Sequence, residues 1–316
     1  MLRILSIQNF HRWSWACIVN QLRKLWRTRY TINHIIRERR EAISEAEKDV
    51  DIILVQNVDS IKLVAADMRP KAVVRIGGIG MDNDKLLENC HKYDTLLASV
   101  GAVVGTSAAL TKVGARNNPN SHTIPNGTDL TMFAPDATRW EKRKKRDKFV
   151  VGFAGNIAIS RYMLYKGYPQ IVAACNELVL DVDLKLALYG PSQLPHECMV
   201  KDFYSQIDCL VNASQGEGCS NTIMEALACG VPVLLTKVGY HGECLLNTYS
   251  CLFIEQTMES IVAQINYLRN SICLQKRLSR NGRAFAELNH DITDIAANYA
   301  DIFQRIYEAN KTKEQL

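Results

Sequence analysis

The chain has 316 residues, 47% hydrophobic and 22% charged, which excludes the disordered, fibrous and small disulfide-framework classes. No apolar run approaches the roughly 20 residues of a membrane-spanning helix, and the ten scattered cysteines contain no Cys-x-x-Cys pair. Net charge is +5, but residues 1–150 hold 25 Lys/Arg against 16 Asp/Glu (+9) and residues 151–316 hold 13 against 17 (−4). Such asymmetry suggests two domains, the first facing something anionic. Unpatterned cysteines in a chain this long point to buried thiols in a reducing compartment, hence the cytoplasm, with peripheral membrane association still open.

In chain order, short apolar runs at 3–7, 52–55, 72–76, 102–105 and 123–124 predict strands in the first half. Residues 3–7 lack the long apolar region and cleavage site of a signal peptide and read better as a first strand. Runs at 149–154, 184–188, 209–212 and 231–236 predict strands in the second half. They show little strict alternation, as expected of strands buried on both faces. Helical spacing marks 18–26, 35–46 and 166–177. The last periodic segment, 292–307, places Ile295, Ala296, Tyr299, Ile302, Phe303 and Ile306 on one face. Strand and helix alternating with short connections predict two parallel α/β sheets, one on each side of about residue 147. The basic run Lys142-Arg143-Lys144-Lys145-Arg146 reads as an interdomain linker, so the expected domains are 1–147, 148–290 and a closing helix over 291–316.

The most informative stretch runs from Glu217 to Val233. A strand ends in a polar turn, and Gly218 permits a tight bend. Ser220 or Asn221 caps a helix over 222–229, and Gly230 ends it before Pro232. A helix start of this kind suits a phosphate. Glu217 and Glu225 accept hydrogen bonds from sugar hydroxyls rather than from phosphate, so the combination suits a nucleotide sugar. The bland alternative is two solvated carboxylates flanking a helix.

This stretch resembles the Glu-x7-Glu donor motif of retaining glycosyltransferases of family four, the glycosyl transferases group 1. There the pattern reads Glu-Gly-Phe-Ser-Asn-x-x-x-Glu-Ala-x-Ala-x-Gly-x-Pro-Val, and here Cys219 replaces the Phe. Residues 202–214 resemble the family's lead-in to the motif, and 124–135 its hinge. Val151-Gly152-Phe153-Ala154-Gly155, followed by Lys166-Gly167, resembles its phosphate-binding strand and lysine. The resemblance implies a GT-B fold: two Rossmann-like parallel-sheet domains facing a cleft, with the C-terminal helix crossing back. It implies sugar transfer from a nucleotide-sugar donor to a hydroxyl acceptor, the donor being a co-substrate and no cofactor being needed. By resemblance Glu225 holds the ribose hydroxyls and Glu217 contacts the donor sugar. Lys166 neutralises the diphosphate, helped by Arg161, while Gly155, Asn156, Ser220, Asn221 and Thr222 complete the donor site.

The first half departs from the family. The loop after its first strand has no glycine pair but carries His11, Arg12, Trp13 and Trp15, and Arg75 stands where many members carry a histidine region. His11, Arg12, Trp13 and Arg75 are therefore the acceptor-side candidates; for the aromatics the alternative is plain packing. Asp181-Val182-Asp183 imitates a metal-binding Asp-x-Asp but precedes an inner strand and reads as structural. No metal site is expected. The implied acceptor is a glycan or lipid-linked glycan at an anionic membrane surface, or alternatively hydroxymethylated bases of DNA. Epimerases and phosphorylases share the fold, and a non-catalytic nucleotide-sugar-binding protein is the rival from another class.

Overall fold

The computed structural model describes residues 2–8, 23–26, 30–36, 39–77, 90–189 and 193–315. The chain divides into two compact units: residues 1–127 with 292–316, and residues 128–291.

In the first unit, strands β1 (Leu2–Gln8), β2 (Tyr30–Ile36), β3 (Ile52–Val55), β4 (Ala72–Ile76), β5 (Ala102–Gly105) and β6 (Ser121–Thr123) form one sheet in the order 2-1-3-4-5-6. All neighbours are parallel. Side chains on a strand alternate between faces, and β3 shows the consequence. Ile52 and Leu54 join one core with Ile4, Val73 and Val104, while Ile53 and Val55 join the other with Leu5, Ile7 and Val74. A strand that must fill both cores is apolar throughout, which is why it carries no alternation. The final helix (Ile292–Glu314) covers the first of these faces with Ile295, Tyr299, Ile302, Phe303 and Ile306. It thus returns to the unit that holds the N-terminal strands.

In the second unit, β7 (Phe149–Gly155), β8 (Val182–Leu188), β9 (Cys209–Asn212), β10 (Val233–Leu235) and β11 (Leu252–Phe253) form a parallel sheet in the order 11-10-9-7-8. Its two cores follow the same rule, with Val151, Phe153 and Val211 on one side and Leu210, Val233 and Leu235 on the other.

Several expectations change. Residues 30–36 are a strand, so the helix expected over 35–46 begins only at Arg40. The helix expected over 166–177 is two helices, Ser160–Tyr165 and Tyr168–Glu177, parted by Gly167 in the left-handed region at φ 65°. The short strand β11 went unread. The part of the expected helix over 18–26 that precedes residue 23 lies outside the described residues.

The first unit ends at Gly127, not near 147, because the basic segment is not a linker. Phe133 is fully buried in the second unit's core. Arg139, also buried, donates to the carbonyls of Ile207 at 2.7 Å and Asp208 at 3.1 Å. Arg146 pairs with the buried carboxylate of Asp208 at 2.7 Å, and Arg143 approaches it at 3.5 Å. Residues 139–144 are helical. At the observed bounds the first unit holds 21 Lys/Arg against 16 Asp/Glu, a balance of +5, and the second 17 against 17. The charge asymmetry keeps its sign but is much smaller than a division at mid-chain gives. Asp181 and Asp183 pair with Arg269 and Lys148, both at 3.1 Å.

Candidate functional site

The site is assembled from the turns that follow β7 and β9. Residues at the carboxyl ends of parallel strands are where open α/β sheets bind ligands. Beyond β9, Asn212 accepts from the Ser214 amide at 3.3 Å and donates to Ser220 Oγ at 3.3 Å, closing the intervening turn. Within that turn Glu217 Oε1 receives Ser214 Oγ at 2.8 Å and a short ion-paired hydrogen bond from Lys166 Nζ. Both donors approach the same oxygen. Among the described residues no donor takes Oε2.

Lys166 is brought there by Gly167. Its left-handed backbone lies against the Ala213 carbonyl so closely that a Cβ would collide with it. The contact is fastened on both sides: the Gln215 amide donates to Tyr165 O at 2.9 Å, and Gln256 Nε2 donates to Ala213 O at 2.6 Å and Tyr165 O at 3.2 Å. Helix end and strand end are thus held in one register, and the ion pair follows from it.

Glu225 lies one face further along the helix Asn221–Ala228 and is only 5% exposed. Tyr204 donates to its Oε2 at 2.7 Å, and His196 Nε2 meets Oε1 at 2.9 Å. A carboxylate offers about four acceptor directions, so two remain for further donors. Burial and the Glu225 charge push the Tyr204 hydroxyl well above its ordinary value, which keeps it a donor. Burial alone would lower the His196 pKa, but the hydrogen bond to Glu225 and the charges of Glu225 and Glu197 outweigh it, and the net shift is upward. Phe133 packs on both rings, with centroids at 5.1 Å and 6.1 Å.

Ser220 occupies the cap position of this helix, yet its side chain does not cap. Its Oγ lies between Asn212 and Thr222 Oγ1, the latter at 3.2 Å. Ser220 makes no side-chain cap, and Asn221 and Thr222 begin the first turn of the helix that follows it. Gly155 ends β7, and Asn156 turns the chain by accepting from the Ala158 amide at 3.0 Å. Arg161 is exposed on the helix before Lys166 and is not drawn into this cluster.

On the acceptor side, His11, Arg12 and Trp13 lie outside the described residues. Arg75 is buried in the first unit, where its Nη2 donates to Asn126 Oδ1 at 2.5 Å. Burial pushes the Tyr299 hydroxyl of the final helix up to about 12, and the charge and hydrogen bond of Arg75 act against that rise. A Cβ at Gly77 would run into the Arg75 guanidinium. Arg75 is therefore engaged within the first unit and, at 6% exposure, is not presented to an acceptor.

Three features escaped the sequence reading. His196 and Tyr204 were given no role, although Tyr204 stands in the lead-in segment. The third is the grouping of Cys219, His241 and His290 in the second unit, all buried, with their ligand atoms within 4.8 Å of one another.

The two parallel sheets and the returning helix define a GT-B fold. HepE of Anabaena, solved with UDP and glucose, superposes with a TM-score of 0.79 at 15% identity, covering 96% of this chain and all of that one. Sucrose-phosphate synthase of Thermosynechococcus elongatus gives 0.79 at 16% identity, covering 98% of this chain and all of that one. Residues 193–285, which contain the Glu217–Glu225 motif, match the family model described as glycosyl transferases group 1. The capsular polysaccharide biosynthesis glycosyltransferase CapM of Staphylococcus aureus is 25% identical over 183 residues, 51% of this chain and 48% of that protein. The phosphatidylinositol N-acetylglucosaminyltransferase GPI3 subunit of Saccharomyces cerevisiae is 25% identical over 218 residues, 61% of this chain and 47% of that protein. The alignments span about half the length of these two relatives.

Proposed function

We propose that the protein is a retaining glycosyltransferase that moves a sugar from a nucleotide-sugar donor to a hydroxyl of a glycan or lipid-linked glycan. The observation that carries this reading is the meeting of Lys166 and Glu217 beyond β9, in the turn that leads to a helix start whose cap residue, Ser220, makes no side-chain cap. A lysine and a helix N-terminus together suit a diphosphate. Glu217 Oε2 suits a sugar hydroxyl, and the two remaining acceptor directions of Glu225 suit a ribose.

In the reaction the bond between the anomeric carbon and the phosphate oxygen breaks. A bond from the acceptor oxygen forms on the same face, and the departing phosphate oxygen takes the acceptor's proton. Negative charge grows on the diphosphate, where Lys166 and the helix start stabilise it, so no metal is required at the phosphates. Lys166 has three donors and can serve a phosphate oxygen while keeping Glu217. The names of CapM and the GPI3 subunit favour a glycan or a glycosylated lipid as acceptor over DNA. No helix among the described residues is long and apolar enough to cross a membrane.

The test is a screen of sugar nucleotides for turnover, run in chelator with and without membrane extract. Wild type should turn over one donor class, and Lys166→Ala should lower kcat by about 10²–10³, the usual cost of removing one preorganised charge-stabilising donor. Binding without turnover would make the protein a nucleotide-sugar binder. Failure to bind any sugar nucleotide would overturn the reading.

A further inference from the structure

We propose that Cys219, His241 and His290 form a buried site for one zinc ion that pins the donor-site turn at residues 217–220 to the last residues of the second unit. Their ligand atoms all lie within 4.8 Å of one another. The two imidazoles face each other through Nε2 atoms 3.2 Å apart. Zinc holds imidazole nitrogens at about 2.0–2.1 Å, which at a tetrahedral angle sets them about 3.3–3.4 Å apart. The same geometry sets sulfur and nitrogen roughly 3.5 Å apart, within reach of a small rotation of the Cys219 side chain. One thiolate and two imidazoles form a borderline-soft set that suits zinc and not magnesium or calcium.

The backbone around the three residues is fixed by contacts that do not involve them as ligands. His241 lies on the short helix Gly239–Cys244. Gly239, at φ 61°, packs against the carbonyls of Glu217 and Gly218, and the Tyr240 amide donates to Gly218 O at 2.7 Å. His290 follows the helix Ile272–Asn289, and its carbonyl receives the Thr128 amide at 2.8 Å. The Tyr240 ring packs on both imidazoles, at 5.7 Å and 5.4 Å, while its hydroxyl donates to Asn289 at 3.2 Å. Cys219 also stands where the resembling family carries Phe, so a thiol facing two imidazoles replaces an apolar ring.

The ion takes no part in the sugar-transfer step proposed above, and the inference does not depend on that reading. Zinc binding would release the thiol proton and leave a fourth position for water. Because Cys219 lies between Gly218 and Ser220, the bound metal would restrict the turn that carries Glu217.

The test uses the full chain produced with zinc, dialysed and analysed for metal, followed by folding in the presence of cobalt(II). Wild type should retain one zinc per chain and give a thiolate-to-cobalt charge-transfer band. Cys219→Ser and His290→Gln should lose the band and lower zinc affinity more than about a hundredfold, beyond the usual loss on removing an outer-shell partner. Cys219→Ala replaces Cys219→Ser if the latter does not fold. Wild type without zinc and without a cobalt band would overturn the proposal, as would a band that survives loss of Cys219. Nucleotide binding measured on the same samples keeps this outcome separate from that of the donor site.

Discussion

The two units solve the same architectural problem with parallel sheets, yet they use their buried polar side chains in opposite ways. In the first unit, among the described residues, Asn118 and Arg75 are spent on the scaffold. Asn118 donates to Leu97 O and Val100 O at 2.9 Å and 2.8 Å, and Arg75 holds Asn126. In the second unit the scaffold pairs sit around Asp208, whereas the groups beyond β9 keep hydrogen-bonding capacity in reserve. Glu217 takes both donors on one oxygen, and Glu225 takes one on each. Burial of a polar residue is therefore not what marks a site here; unspent acceptor capacity at a strand end is.

The largest effect should come from a scaffold group. Asp208 is 4% exposed, receives the Val150 amide at 2.7 Å and pairs with Arg146. Asp208→Ala would orphan that amide and leave the arginines without a counter-charge. The expected loss is about 3–5 kcal/mol of unfolding free energy, as for other broken buried pairs, with nucleotide affinity unchanged in the folded protein. Urea titration with calorimetry measures both. A variant that binds poorly but unfolds normally would break the distinction between scaffold and site.

Glu225→Gln makes the converse prediction. The amide keeps the size of the side chain but loses one acceptor oxygen and the charge. Nucleotide binding should weaken by about 1–3 kcal/mol, the range for a hydrogen bond to a charged group. Equal calorimetric affinities for wild type and variant would remove Glu225 from the donor site.

What was legible in the sequence follows the same physical divide. The doubly buried strands and the 217–233 turn-helix-strand unit are local, and their residues announce them. The strand at 30–36 was missed because its apolar residues, Ile32, Ile35 and Ile36, also fit helical spacing. The basic run at 142–146 reads as a linker because the carboxylate that engages two of its arginines, Asp208, lies more than 60 positions away. His196 and Tyr204 reach Glu225 across 29 and 21 residues, and His241 reaches His290 across 49. Contacts that depend on the fold leave no spacing to read.

The smallest effect sharpens the comparison within the site. His196 faces Glu225, Glu197 and the neutral Tyr204 hydroxyl, and its pKa is raised in the folded protein. A raised value means that the folded state binds the proton more tightly than the unfolded chain. The stability this contributes is fully present below about pH 6.5, the ordinary histidine value, and is lost as pH rises through the folded value. His196→Gln keeps a donor near Glu225 but cannot titrate. The wild-type advantage over His196→Gln should therefore be greatest at mildly acidic pH and fade toward alkaline pH. The side chain is 29% exposed, so solvent screening should keep the difference under about 1 kcal/mol. Thermal unfolding of both proteins across this range is the measurement. Parallel pH profiles would mean that His196 does not carry charge against Glu225, and that Tyr204 alone fixes the carboxylate.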